Sequence, residues 1–289
     1  MISRGYIWGT YRRVLNYRRV VDTLTSDHLL GIDTAPNYQD GRAEREIGAL
    51  ALPRSTRIFG KVGYTSGDDQ ALGTLVGNKK HCLDPKYIEA RVQASFRTLF
   101  PRGGQFEAVL LHNPEHLWEG VREADGDERM AEALLALASL ASRGLTRHIG
   151  ISTWTIAPNS TRGSRVLTNL SELGLGECFR FYMHPVSILR RELLSMPTQD
   201  YLGRNIQILS SAPLAGGEAI KLLGPALSRL FQGVEDPVAQ SLMLSRFGGA
   251  TPCIGIGSEE HSLHLATLKG LPEMQASDLN DMLRLLEPS

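Results

Sequence analysis

The chain has 289 residues, 42% apolar and 7% aromatic, enough for one large α/β domain or two smaller ones. Lysine plus arginine balances aspartate plus glutamate at 31 each, which leaves no electrostatic footprint for nucleic acid or a membrane surface as partner. Apolar runs all fall short of the roughly 20 residues that span a bilayer. The N-terminus carries no signal-peptide core, and Cys82, Cys178 and Cys253 show no metal-type spacing, so the expectation is a cytoplasmic protein with free thiols and no metal.

Short apolar runs alternate with longer amphipathic ones. Strands are predicted at 6–10, 31–35, 57–62, 106–112, 148–153, 179–184, 206–211 and 252–257. Helices are predicted near 17–28, 42–52, 84–100, 128–143, 160–173, 189–203, 236–247 and 259–269, with a further one at 277–286. Asp84-Pro85 opens the third helix as cap and first-turn proline, and Gly144 closes the fourth. This alternation predicts a (β/α)8 TIM barrel with an extra C-terminal helix, residues 1–289 forming one domain. An open doubly wound sheet is the runner-up, but no G-x-G-x-x-G follows the first strand. The long connection from Gly63 to Leu83 would stand at the catalytic face of a barrel as a lid or substrate wall; a surface excursion is an equal reading.

Four residues then draw the eye. Asp33 ends an apolar strand, where an unpaired carboxylate is costly, so it calls for a cation. Lys61, in the next apolar run, is the candidate. Tyr38 lies in the loop after Asp33, and His112 closes the fourth strand. A tyrosine can protonate a developing alkoxide, but its ordinary pKa of about 10 is high. A neighbouring ammonium would favour tyrosinate, a carboxylate behind it would keep the lysine charged, and an imidazole could polarise the carbonyl. Taken singly, Asp33 and Lys61 read equally as a structural ion pair, His112 as a satisfied buried histidine and Tyr38 as a loop residue.

Several stretches carry a resemblance. Leu30-Gly-Ile-Asp-Thr-Ala-Pro-Asn-Tyr38, with Glu44 and Gly48 beyond it, and Leu110-Leu-His-Asn-Pro-Glu115 are the specific ones. Gln93-Ala-Ser-Phe-Arg-Thr-Leu99, Gly144-Leu-Thr-Arg-His-Ile-Gly-Ile-Ser152, Ser211-Ala-Pro-Leu-Ala-Gly216 and Cys253-Ile-Gly-Ile-Gly-Ser258 support them. Over nearly the whole chain the sequence resembles the aldo-keto reductases, and most closely the shorter bacterial, sugar-dehydrogenase-like members. The resemblance implies an NAD(P)-dependent oxidoreductase that interconverts a carbonyl and an alcohol on a small, sugar-like or secondary-metabolite substrate. Tyr38, Lys61, Asp33 and His112 form its tetrad, with Tyr38 as proton donor.

The resemblance also places the cofactor, NADP or NAD. Gly9, Thr10 and Asp33 would meet it at the first two strands, and Ser152, Thr153 and Met183 at the fifth and sixth. Ser211, Pro213 and Leu214 follow at the seventh, and Gly257 and Ser258 at the eighth. Thr153 stands where the family has Asn, Met183 where it has Gln, and Ser211 where it often has an aromatic that stacks on the nicotinamide. Trp154 or Tyr182 is expected to take over that stacking. Gly255-Ile-Gly-Ser-Glu-Glu-His261 lacks the family's basic residue for a 2′-phosphate, and Glu259 and Glu260 would repel one. Substrate contacts are expected from Tyr11, from Arg12 or Arg13, and from Trp118, Trp154 and Tyr182, with His184 of the same grade. Two other readings stay open: a redox-neutral epimerase or lyase on the same tetrad, and a reductase-like barrel that binds or regulates without catalysis.

Overall fold

A computed structural model of the chain describes residues 5–285 apart from 14–15, 24–28, 51, 53–54, 68, 70–79, 191–205 and 269. Within them eight parallel strands close into a barrel: β1 (Tyr6–Gly9), β2 (Leu29–Asp33), β3 (Ile58–Val62), β4 (Phe106–His112), β5 (Thr146–Ser152), β6 (Phe179–Pro185), β7 (Gln207–Ser211) and β8 (Thr251–Gly255). Each pairs with the next, and β8 returns to β1. Around them run α1 (Tyr17–Thr23), α2 (Arg42–Ala49), α3 (Pro85–Leu99), α4 (Glu123–Ser142), α5 (Thr161–Glu172), α6 (Pro237–Arg246) and α7 (Glu259–Thr267). The appended C-terminal helix is α8 (Ala276–Leu285). The (β/α)8 architecture expected from the alternating runs is the one observed.

Some boundaries differ. The helix expected at 189–203 lies almost wholly outside the described residues, as do the tip of the 63–83 connection and residues 24–28 after α1. Helix α4 begins at Glu123 rather than 128, because Glu123 and Asp125 in its first turn complement the positive helix end. Gly126 is accommodated inside it because Trp118 packs there: an added Cβ would stand 2.2 Å from the indole Cδ1. Among the described residues no helix is long and apolar enough to cross a membrane.

Strand alternation sorts the barrel into two faces. Ile7, Phe59, Leu110, Phe181, Met183, Leu209 and Cys253 pack together in the barrel interior. Their sequence neighbours Trp8, Ile58, Val109, Tyr182, Ile208 and Ile254 face the helices. Carried to the carboxyl ends, the same alternation makes Gly9, Asp33, Lys61, His112, Ser152, Ser211 and Gly255 the last inward-facing residues of their strands. The interior is therefore apolar below and polar at one rim.

Glu44 and Gly48, four apart on α2, share the face that meets α3. A Cβ at Gly48 would lie 2.0 Å from the Thr98 carbonyl oxygen, so only glycine permits this approach. Glu44 accepts from the Ser95 hydroxyl at 3.1 Å and lies 3.6 Å from the Arg91 guanidinium. Arg91 donates to Asp69 at 2.8 Å, and Asp69 also accepts from Tyr87 Oη and from the Ser66 N–H. The root of the long connection after β3 is thereby tied into a buried ion network between α2 and α3. Replacing Arg91 by Met leaves two carboxylates buried without their cation, and should destabilise the fold by about 3–5 kcal/mol. Urea unfolding of the two proteins measures it; a loss under about 1 kcal/mol would mean the network is not needed.

Candidate active site

The polar rim brings three of the four expected side chains together, and the loop after β2 brings the fourth. Lys61 Nζ, its side chain only 4% exposed, donates to Asp33 Oδ2 at 2.8 Å and to Tyr38 Oη at 2.8 Å. The ammonium also lies 5.2 Å from the centre of the Tyr38 ring. His112 meets that ring edge-on at 5.9 Å. Tyr38 is carried there by a tight turn in which its N–H donates to the Ala35 carbonyl at 3.0 Å.

Burial works against the Lys61 ammonium, but the Asp33 carboxylate and Tyr38 outweigh it and lift the lysine above its ordinary pKa. That rise requires an ionised Asp33, so the two form an ion pair, although burial pushes the carboxyl upward against the pull of Lys61. Tyr38 departs from expectation. Burial raises its pKa, and the pull of Lys61 only partly offsets this, so the resting group is a phenol rather than a tyrosinate. His112 is held neutral, first by burial and then by Lys61, His81 and His116. Its Nδ1 is buried and has no hydrogen-bond partner among the described residues.

Other expected residues turn out to be committed elsewhere. Trp118 is 5% exposed, packs on Gly126 and donates from Nε1 to Asp127 at 3.1 Å, so it is a structural residue and not a pocket wall. Tyr182 is 1% exposed on the helix-facing side of β6, its hydroxyl donating to the Ile156 carbonyl at 2.7 Å; it faces away from the rim. His184 is buried on the same side, and burial lowers its pKa to about 4. Met183 is fully buried in the barrel interior and offers a ligand no surface. Thr10 spends its hydroxyl on the Asp33 carbonyl at 3.0 Å.

Thr153 is also occupied. Its hydroxyl donates to Glu115 at 2.8 Å and accepts from the N–H groups of Thr155 and Ile156. Glu115 accepts from the Trp154 N–H as well, at 2.9 Å, and Arg190 donates to the Trp154 carbonyl at 3.0 Å. The Trp154 backbone is thus pinned on both sides while the residue stays 47% exposed. Ser152, Ser211 and Gly9 stand at the inward rim, and Tyr11, 64% exposed, leans edge-on against Tyr38 at 5.4 Å.

Sequence reading missed the far side of His112. Tyr64, just after β3, stands edge-on to His112 at 4.9 Å, and its hydroxyl is 3.2 Å from His116 Nε2. Asn113 Nδ2 donates to the same hydroxyl at 2.8 Å. His81 donates to the His112 carbonyl at 2.7 Å. Tyr11, Tyr38, His112, Tyr64 and His116 form a continuous arc of rings over the exits of β1 to β4. Aromatic residues just past strand ends were the available signal. Among the described residues no three His, Cys, Asp or Glu side chains could hold a metal.

The opposite half of the rim is bare. Gly216 and Gly217 take positive φ (71° and 103°) after β7, while Gly255 closes β8 and Gly257 lies just beyond it. Cβ atoms built on Gly216, Gly255 and Gly257 would meet Arg12 at 3.4–4.0 Å, with His261 Nδ1 at 3.8 Å also beside Gly257. A cradle of exposed backbone with a cation over it suits the diphosphate of a dinucleotide. Ser258 caps α7 through His261 N–H at 3.2 Å. Glu259 does not stand free to repel phosphate, because Arg19 grips both its oxygens at 2.8 and 2.9 Å.

The model of the Aldo/keto reductase family matches residues 20–163. The holo form of aldo-keto reductase AKR11C1 from Bacillus halodurans is similar in structure, with TM-score 0.70 at 17% identity, covering 99% of this chain and 93% of its own. The glycerol dehydrogenase AKR11B4 from Gluconobacter oxydans superposes with TM-score 0.68 at 17% identity, over 98% and 92% of the two chains. MGS-M4, an aldo-keto reductase from a Medee basin deep-sea metagenome library, reaches 0.64 at 14%, over 96% and 90%. No curated protein matches. The chain belongs to the aldo-keto reductase family of oxidoreductase enzymes.

Proposed function

We propose that this enzyme interconverts a carbonyl and an alcohol on a small uncharged substrate, with Tyr38 as the proton donor and NAD or NADP as hydride carrier. The observation that carries the reading is the buried Lys61 ammonium, hydrogen-bonded at 2.8 Å to both Asp33 and Tyr38. A nicotinamide held beside this cluster supplies the hydride.

The chain's own groups handle the proton. Tyr38 gives its phenolic proton to the carbonyl oxygen as negative charge develops there. The phenolate left behind sits against the Lys61 ammonium, which Asp33 keeps charged. Neutral His112 donates a hydrogen bond to the same substrate oxygen, and being uncharged it adds no competing acid. Ser152 and Ser211 offer hydroxyls, and Gly9 a bare backbone, at the inward rim toward the nicotinamide. With Tyr182 facing the helices and Met183 buried in the barrel interior, the exposed, pinned Trp154 is the aromatic available for stacking.

The ring arc from Tyr11 to His116 forms the substrate side. Hydroxyl-bearing rings favour a neutral sugar-like or aromatic carbonyl compound over an acid.

Tyr38→Phe should lower kcat for reduction by at least about a hundred-fold while leaving nucleotide affinity within about two-fold. Turnover retained in that variant would remove Tyr38 from the donor role. The raised Tyr38 pKa fixes a pH sign. Reduction needs the phenol, which persists below that pKa, so its kcat should stay flat from about pH 6 to about pH 9. Alcohol oxidation needs the phenolate, so its rate should climb over the same window. A reduction rate falling through pH 7–8 would show that burial does not control the group. Because Trp8 and Trp118 are buried, nicotinamide binding should quench chiefly Trp154; Trp154→Phe should abolish most of the quench, and a quench of wild-type size would exclude the stacking role.

A further inference from the structure

The loop leaving β1 was expected to contact substrate through Arg12. Its side chain instead runs across the opposite half of the rim. Cγ lies 3.4 Å from where a Gly255 Cβ would stand, Cβ 4.0 Å from that of Gly257, and Nη2 3.6 Å from that of Gly216. The side chain therefore bridges the exits of β8 and β7 over bare glycine backbone. Its main chain is anchored: Gln39 Nε2 donates to the Arg12 carbonyl at 3.1 Å, to the Thr10 carbonyl at 2.8 Å and to Tyr17 Oη at 2.7 Å. Its charged end is not, since no carboxylate among the described residues pairs with Arg12. The neighbouring acid, Glu259, is taken by Arg19.

We propose that Arg12 is the counter-charge for the dinucleotide's diphosphate, and so belongs to the cofactor half of the site rather than the substrate half. The inference rests on the nicotinamide-dependent reading above. The diphosphate needs two things here: backbone uncluttered by Cβ atoms, and a cation to offset its negative charge. The stretch 255–261 reads Gly-Ile-Gly-Ser-Glu-Glu-His and supplies the first without a lysine or arginine for the second. Arg12 supplies the second from another strand. Its planar guanidinium can engage two phosphate oxygens at once, which a lysine cannot do. Because the diphosphate is common to NADH, NADPH and ADP-ribose, the assignment makes Arg12 indifferent to the 2′-phosphate.

The test is calorimetric titration of wild type, Arg12→Met and Arg12→Lys with NADH, NADPH and ADP-ribose, with thermal melts checking the fold of these exposed-site variants. Arg12→Met should weaken all three ligands by a similar factor, about ten- to a hundred-fold. Arg12→Lys should recover part of the loss. ADP-ribose carries no nicotinamide, so the readout is independent of turnover. Wild-type affinity of Arg12→Met for ADP-ribose would overturn the assignment and leave the oxidoreductase reading standing. A loss confined to NADPH would also overturn it, by moving Arg12 to the 2′-phosphate. If wild type binds none of the three, the nicotinamide-dependent reading falls, and the assignment with it.

Discussion

A lysine ammonium buried at the rim of a β-barrel needs a partner, and the arrangement around Lys61 follows from that need. Desolvating a single charge costs several kcal/mol, and only close, well-aimed partners return it. Asp33 provides the opposite charge from the neighbouring strand, and Tyr38 a second hydrogen bond from the loop beyond. Neither reaches Lys61 unless β2 and β3 keep a register that turns Asp33 and Lys61 inward together. The observed pairing of Asp33 with Phe59, two residues before Lys61, does so. The chemistry thus depends on strand register as much as on the residues, since a one-residue slip would send either side chain into the helical layer.

The rim divides by what its charges can afford. Over β1 to β4 the ion pair is satisfied internally, and what faces outward is a set of rings, several of them bearing hydroxyl or imidazole groups. Over β7 and β8 glycines clear the backbone, and Arg12, which pairs with no carboxylate among the described residues, lies across them. The two halves of the rim therefore present surfaces of different character. Tyr38 stands on the first half, edge-on to Tyr11.

Much of this was readable from residues in order. Apolar runs ending in Asp, Lys and His located the strand ends, because a charged group at the close of a buried strand is tolerated only at a rim. Tyr38 followed from the resemblance, in whose signature it stands five residues after Asp33. What failed did so for identifiable reasons. Tyr182 and Met183 are adjacent on one strand, so alternation forbids both from facing the same ligand, and Tyr182 is the one turned outward. Trp118 looked like a pocket wall because sequence does not show which indole is buried; Gly126, inside the helix that follows, was the mark of something large packed against it. Glu259 looked repulsive because its partner, Arg19, lies 240 positions away in sequence. Tyr64, His81 and His116 went unread for the same reason: they meet His112 around the Tyr64 ring, a cluster that exists only once β3 and β4 are side by side.

The substitution of Thr153 for an amide-bearing residue then takes on a structural sense. Glu115 accepts both the Thr153 hydroxyl and the Trp154 N–H, joining the loop after β4 to the loop after β5. Asn113, between His112 and this junction, adopts a left-handed conformation at φ 53°, a placement that costs about 1 kcal/mol or more and persists only where surroundings impose it. Its N–H to the Ser152 carbonyl at 2.6 Å and its side-chain bond to Tyr64 supply that imposition. A free carboxamide-binding side chain at 153 could not also close this junction. The seam holds His112 on one side and the exposed Trp154 on the other, so the orientation of both rings is set through their backbones.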